Sequence, residues 1–264
     1  MYSNMLKTYQ LHVDTGSLQT TGGGQGNPQN FVTKVGGNPF QCQVLFGNRH
    51  RALKCISLKN AQIPLGYYNI RAPYNVITIN GLVYTVQPGV YATTTSYLAA
   101  LNSATSSSGS MSAIGTWGFV GSQAQFISSS GTVTFTFPTG LTYPTILSTL
   151  GFAPTPGTNT LIGTSITSTY SYILNFDNYI SIWIENLGQS SLEPAQITFK
   201  IPVNVPAGSI LHWAENSQNE QVVMVTDQAA RVDRLNITVL DRFGQVLNNN
   251  GLDWSFTLDV KSEN

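Results

Sequence analysis

Charge is what this 264-residue sequence has least of. Asp, Glu, Lys and Arg make up 9% of it, against about 25% in ordinary soluble domains. Twelve basic residues balance twelve acidic ones. Chains that bind nucleic acid or anionic membranes carry a basic excess that supplies their Coulomb attraction, so the balance excludes such a footprint over the whole chain. Long apolar runs are missing as well: no stretch reaches the roughly 18 residues of a membrane-spanning helix. No basic start leads into an apolar run with a small-residue cleavage site. The expectation is a soluble protein that reaches its destination without a secretory leader.

Residues that ligate metals or attack substrates are equally scarce. His12, His50 and His212 fall in an N-terminal arm, a predicted turn and a strand, with no second ligand at metal spacing. There is no G-x-S-x-G elbow, and the glycines of TGGGQG do not lie between a strand and a helix, where a phosphate loop belongs. No spacing pairs two of the carboxylates as a glycosidase requires. The expectation is therefore no catalytic residues, no metal, no cofactor and no enzyme activity. The Asn236-Ile-Thr acceptor pattern falls inside a strand and is read as incidental.

The two cysteines, Cys42 and Cys55, flank a possible two-residue turn at Asn48-Arg49. If that turn forms, the two would face each other across a strand pair. Cross-strand geometry permits a disulfide only at a favourable pairing position, and two cysteines without a leader are more often buried thiols. Free thiols are expected.

What the sequence does contain is period-two alternation. In LDWSFTLDV, residues 252 to 260, Leu252, Trp254, Phe256, Leu258 and Val260 share one strand face, and Asp253, Ser255, Thr257 and Asp259 share the other. Leu235, Ile237 and Val239 repeat the pattern, with Asp241, Gly244 and Asn248-Asn249-Asn250-Gly251 as turn residues between. VITINGLVYTV reads as a hairpin with Asn80-Gly81 as a type I′ turn, which puts Ile77, Ile79, Leu82 and Tyr84 on one face.

Thr94 or Thr95 can cap a short helix with Tyr97, Leu98 and Leu101 as its stripe. A single helical turn in YPTILSTLGF should stop at Gly151. Residues 85 to 153 then form an insertion of hairpin, helix and short helix. Further strands are expected in FQCQVLF, ALKCISL, GYYNIR, STYSYIL, NYISIWIEN, AQITFKIPV, SILHW and EQVVMVT. Residues 1–30, with GSLQTTGGGQGNPQN, have little to bury and read as a flexible arm, leaving residues 31–264 as one all-β sandwich.

The order of these segments carries a resemblance. VYTVQPGVYATTTSYLAALNSA, a Pro-Gly-x-Tyr turn leading into a helix, precedes a hairpin, then TILSTLGF, and last LNITVLDRFGQVLNNNGLDWSFTLDV. With NAQIPLGYYNI before them, the series resembles the penton (vertex capsid) proteins of double-jelly-roll DNA viruses, the group of nucleocytoplasmic large DNA viruses, virophages and Polinton-like viruses. The likeness spans roughly residues 40 to 260.

The resemblance implies a single jelly roll, an eight-stranded antiparallel β-sandwich with one or two short helices in an insertion. It implies a structural virion protein, made in the host cytoplasm or virus factory, that forms a homopentamer at icosahedral vertices. Its partners would be itself, the major capsid protein and minor capsid proteins, with no specific nucleic acid. A minor or cement capsid protein of the same viruses shares the late Leu-Asp-x-x-Gly and Trp-Ser-Phe pattern. A carbohydrate-binding jelly roll, as in a lectin or fibre, is the alternative from another class.

Overall fold

The computed structural model of the chain describes residues 6–16, 30–50, 53–139, 145–174, 177–185, 199–224 and 232–263. The chain opens with strands β1 (Leu6–Asp14), β2 (Asn30–Val35), β3 (Asn38–His50) and β4 (Leu53–Pro64). Its middle contains β5 (Val76–Ile79), β6 (Leu82–Thr85), α1 (Thr94–Asn102), the short β7 (Thr105–Ser106) and β8 (Gly109–Ser110), and α2 (Met111–Ile114). There follow β9 (Gly115–Val120), β10 (Gln123–Ser128), β11 (Val133–Thr136), α3 (Ile146–Thr149), β12 (Thr160–Gly163) and β13 (Ser165–Thr167). It closes with β14 (Tyr179–Ile184), β15 (Phe199–Pro202), β16 (Ile210–Ala214), β17 (Val222–Met224), β18 (Val232–Leu240) and β19 (Ser255–Glu263).

The fold is all-β, as the alternation requires, but it divides into two compact units where the sequence suggested one domain. The first unit holds residues 1–66, 177–205 and 209–264. Among its described residues are two five-stranded antiparallel sheets, ten strands where eight were expected. One runs β1-β19-β4-β16 with β17 also on β4, and the other runs β15-β14-β18-β3-β2. Along the chain β1, β4, β16, β17 and β19 fall in one sheet and β2, β3, β14, β15 and β18 in the other, so the chain crosses repeatedly between the two, as a jelly roll does. The sheets face each other through alternating apolar residues: Phe40, Val44, Leu235, Ile237 and Val239 from one, and Leu58, Phe256, Leu258 and Val260 from the other, all buried. Trp254 joins them. Its ring stacks on Phe256 at 4.5 Å and meets Phe40 edge-on at 5.8 Å, and its indole Nε1 donates to the Pro39 carbonyl at 2.7 Å.

The second unit is Tyr67–Phe176 with Pro206–Gly208, a larger insertion than residues 85 to 153. The Asn80-Gly81 hairpin forms as expected: both residues have positive φ, 51° and 77°, and Ile79 pairs with Leu82 and Ile77 with Tyr84. β5, β6 and β11 pack Ile77, Ile79, Tyr84, Val133 and Phe135 against Tyr97 and Leu101 of α1, with Trp117 and Phe126 from β9 and β10. The cap of α1 is Thr93, one residue before the expected position. Thr93 Oγ1 accepts from the Ser96 N–H, and Ser96 Oγ accepts from the Thr93 N–H. α3 is the expected single turn and ends at Gly151, where φ is +82°.

Three expectations need correction. Part of the supposed arm is a strand: β1 pairs along its whole length with β19, burying Leu11 and Val13. Averaging residues 1–30 hid that alternation beneath the Gly- and Gln-rich stretch, and residues 17–29 lie outside those described. GYYNIR and STYSYIL are not strands either; within the first, Ile70 makes one bridge to Gly89. Last, β3 and β4 do not form a hairpin, because the chain passes from one sheet to the other between them. Cys42 lies opposite Ile237 and Lys34, and Cys55 opposite Lys261 and Met224. Both are free and buried.

Burial pushes the Cys42 thiol up to about 12. Native protein at pH 8 should therefore leave Cys42 unmodified by a thiol reagent, while denatured protein should yield two reactive thiols. Prompt native labelling of Cys42 would contradict this packing. The unfolded thiol ionises first, near pH 8.5, so stability falls above that pH. The Cys42 contribution is whole below that value and is lost as pH rises towards 12.

Candidate assembly surface

The boundary of the second unit gives the charge poverty a location. Of the twelve basic and twelve acidic residues, Arg71 alone lies between Tyr67 and Phe176. A sheet with one face on a core ordinarily shows Lys and Glu on its other face and edges, which keep it soluble and discourage strand addition. Here that face is made of threonine and aliphatic residues.

Register defines the face. Thr160, Thr136, Thr78 and Val83 stand in one row across β12, β11, β5 and β6. Ile162 and Thr134 form the adjacent row on one side, and Val76 and Thr85 the adjacent row on the other. The alternate residues, Phe135, Ile77, Ile79 and Tyr84, are in the core, so these point outward. Val83 is 51% exposed and Ile162 61%. Every outward position is an aliphatic or a β-branched hydroxyl residue, types that suit a pleated surface without contributing charge.

The three-stranded sheet β13-β10-β9 repeats the chemistry. Gln125, central on β10, donates from Nε2 to Thr167 Oγ1 at 3.2 Å and to Ser165 Oγ at 3.4 Å. Ile127 and Val120 stand out of the same sheet, 51% and 57% exposed. Pairs of hydroxyl and amide groups do here what ion pairs do on a charged surface.

No family model matches this chain, and no curated protein matches it. Among solved structures, the crystal structure of the selenomethionine-labelled mavirus penton protein is similar, at 9% identity and a TM-score of 0.44. The alignment covers 98% of this chain and 99% of that one.

Carboxamides also close backbone that a sheet edge would leave open. Asn102 Oδ1 accepts from the Trp117 N–H at 2.8 Å and its Nδ2 donates to the Trp117 carbonyl at 3.3 Å, so one side chain acts as the missing neighbour of β9. Gln221 does the same for Lys200 on the edge strand β15, at 2.6 and 2.5 Å. Asn69 brackets Tyr91 at 2.8 and 3.0 Å. Asn102→Ala should cost about 1–3 kcal/mol by orphaning a partly buried donor and acceptor. Native-state hydrogen exchange at the Trp117 amide should accelerate with it; unchanged exchange would show that Asn102 does not close the edge.

The first unit carries a three-residue ion cluster. Lys59 sits between Glu215, which it hydrogen-bonds, and Asp259, at 3.4 Å. These two are carboxylates that folding brings together, but both are engaged by one ammonium. The Glu215 hydrogen bond, ahead of the attraction of Asp259, raises Lys59 above its ordinary value. Its stabilising effect is therefore complete at neutral pH and is lost in the alkaline range, as pH rises through the raised value. Lys59→Met should flatten the alkaline limb of a stability-pH curve; an unchanged limb would mean that the triad carries no linkage.

His12 and His212, the histidines with described side chains, lie on different strands, β1 and β16. His12 Nδ1 is 3.1 Å from Thr257 Oγ1 at an exposed position, His212 is exposed on β16, and the His50 side chain lies outside the described residues. Among the described residues no group of three His, Cys, Asp or Glu could hold a metal ion. No helix among them is long and apolar enough to cross a membrane. The signal that the sequence reading missed is the position of the charges rather than their number.

Proposed function

We propose that this chain is a structural capsid protein that forms the pentameric penton capsomer at the vertices of an icosahedral virion. It would act without catalysis and contact the major capsid protein around it. The observation that carries the reading is the agreement between the penton-like order of segments and the architecture. The late LNITVLDRFGQ and WSFTLDV segments supply a central strand to each sheet of the sandwich, β18 between β14 and β3, and β19 between β1 and β4. The Pro-Gly-x-Tyr turn leads into α1 and TILSTLGF forms α3, both inside the inserted unit.

A five-fold ring is built from heterologous contacts, one patch meeting a different patch on the next copy until the rotation closes. Assembly interfaces are depleted in charge at their centres, and the inserted unit carries a single charged residue, Arg71. Negative-stain images of the purified chain should give closed five-fold class averages. Two-fold or three-fold particles would exclude the vertex role and favour the minor-capsid alternative.

A further inference from the structure

Resting on the capsid-subunit reading, we infer that the charge-poor inserted unit docks against a second copy of this chain through the outward face of β12, β11, β5 and β6. The face is continuous across four strands, and the row Thr160, Thr136, Thr78 and Val83 crosses all of them. Its most exposed aliphatic side chain is Ile162, on the edge strand β12.

Charge complementarity selects the occupant. A partner that placed Lys, Arg, Asp or Glu against this face would strip water from a charge and offer it no counter-charge, a cost of several kcal/mol per ion. A neutral partner pays no such cost, and threonine hydroxyls can pair among themselves while their methyl groups pack. A second copy brings a surface of that kind: the β13-β10-β9 sheet of the same unit displays Gln125, Ile127 and Val120. Two different neutral faces on one unit are also what a heterologous contact needs, since a patch must meet a patch unlike itself.

The test is sedimentation velocity of the full chain across a concentration series, with Thr136→Lys, Ile162→Lys and the control Gln10→Lys. Gln10 is exposed on β1 of the other unit, on the face opposite Leu11 and Val13. Circular dichroism checks that each variant folds, and two variants on the face guard against one of them failing. The wild type should associate, and each face variant should weaken association at least tenfold, roughly the effect of one unpaired charge buried at an interface. Gln10→Lys should associate as the wild type does.

Association that survives both face variants overturns the inference, and so does a wild type that stays monomeric. A monomer whose melting temperature rises with neutral sugars overturns it in favour of a glycan occupant. The two readings fail separately. A pentamer indifferent to Thr136→Lys would sink this contact and spare the capsomer, whereas a dimer or trimer dispersed by it would do the reverse.

Discussion

Trp254→Ala should lower the unfolding free energy by about 3–5 kcal/mol, the range for removing a large aromatic from a core. The indole is 2% exposed, stacks on Phe256 and meets Phe40 across the sandwich. Alanine would leave a cavity between the two sheets and an orphaned Pro39 carbonyl, which now accepts the indole N–H at 2.7 Å. Trp254→Phe separates the two losses: it keeps a ring and gives up the hydrogen bond, for about 1–3 kcal/mol. Urea denaturation measures both. A loss below about 1 kcal/mol for the alanine variant would mean that Trp254 does not bridge the sheets, since buried truncations of that size rarely cost so little.

Gly151→Ala should cost about 2–5 kcal/mol, combining left-handed strain with overpacking. Gly151 has φ of +82°, and a Cβ added there would stand 2.1 Å from the Tyr170 carbonyl oxygen. That oxygen belongs to backbone, so either the end of α3 or the segment at Tyr170 must move. Gly157 has nearly the same φ, +81°, with no atom within 4 Å of its imagined Cβ. Gly157→Ala should therefore cost only about 1 kcal/mol. Equal losses at the two positions would show that the close approach at Tyr170 contributes nothing.

Local structure was legible where a few neighbouring residues decide it. The Asn80-Gly81 turn is set by two residues that tolerate positive φ, and its register follows from the turn length. The stop at Gly151 and the buried series Trp254, Phe256, Leu258 and Val260 entering β19 follow from equally local signals. Leu252 breaks the last pattern: it precedes the strand and is 47% exposed. The helical stripe was nearly right, with Ala100 rather than Leu98 beside Tyr97 and Leu101 in the buried set.

What could not be read was partnership over distance. β1 finds its neighbour at the other end of the chain, and nothing in Leu6–Asp14 names β19. The Cys42 and Cys55 strands are close in sequence yet belong to different sheets, because sheet switching depends on the whole sandwich. The candidate surface shows both cases. Each strand's outward residues are visible in the alternation, but the row from Thr160 to Val83 exists only after β12, β11, β5 and β6 have paired. The clustering of charge outside Tyr67–Phe176 was present in the sequence throughout and gained meaning only with the boundary of the unit.

Light scattering on the purified chain, with mass read across the eluting peak, decides whether it closes into a ring of five. The chain is 28.6 kDa, and five copies in a closed ring amount to about 143 kDa. A capsomer should give a peak at that mass, stable on dilution. A stable dimer or trimer would contradict it.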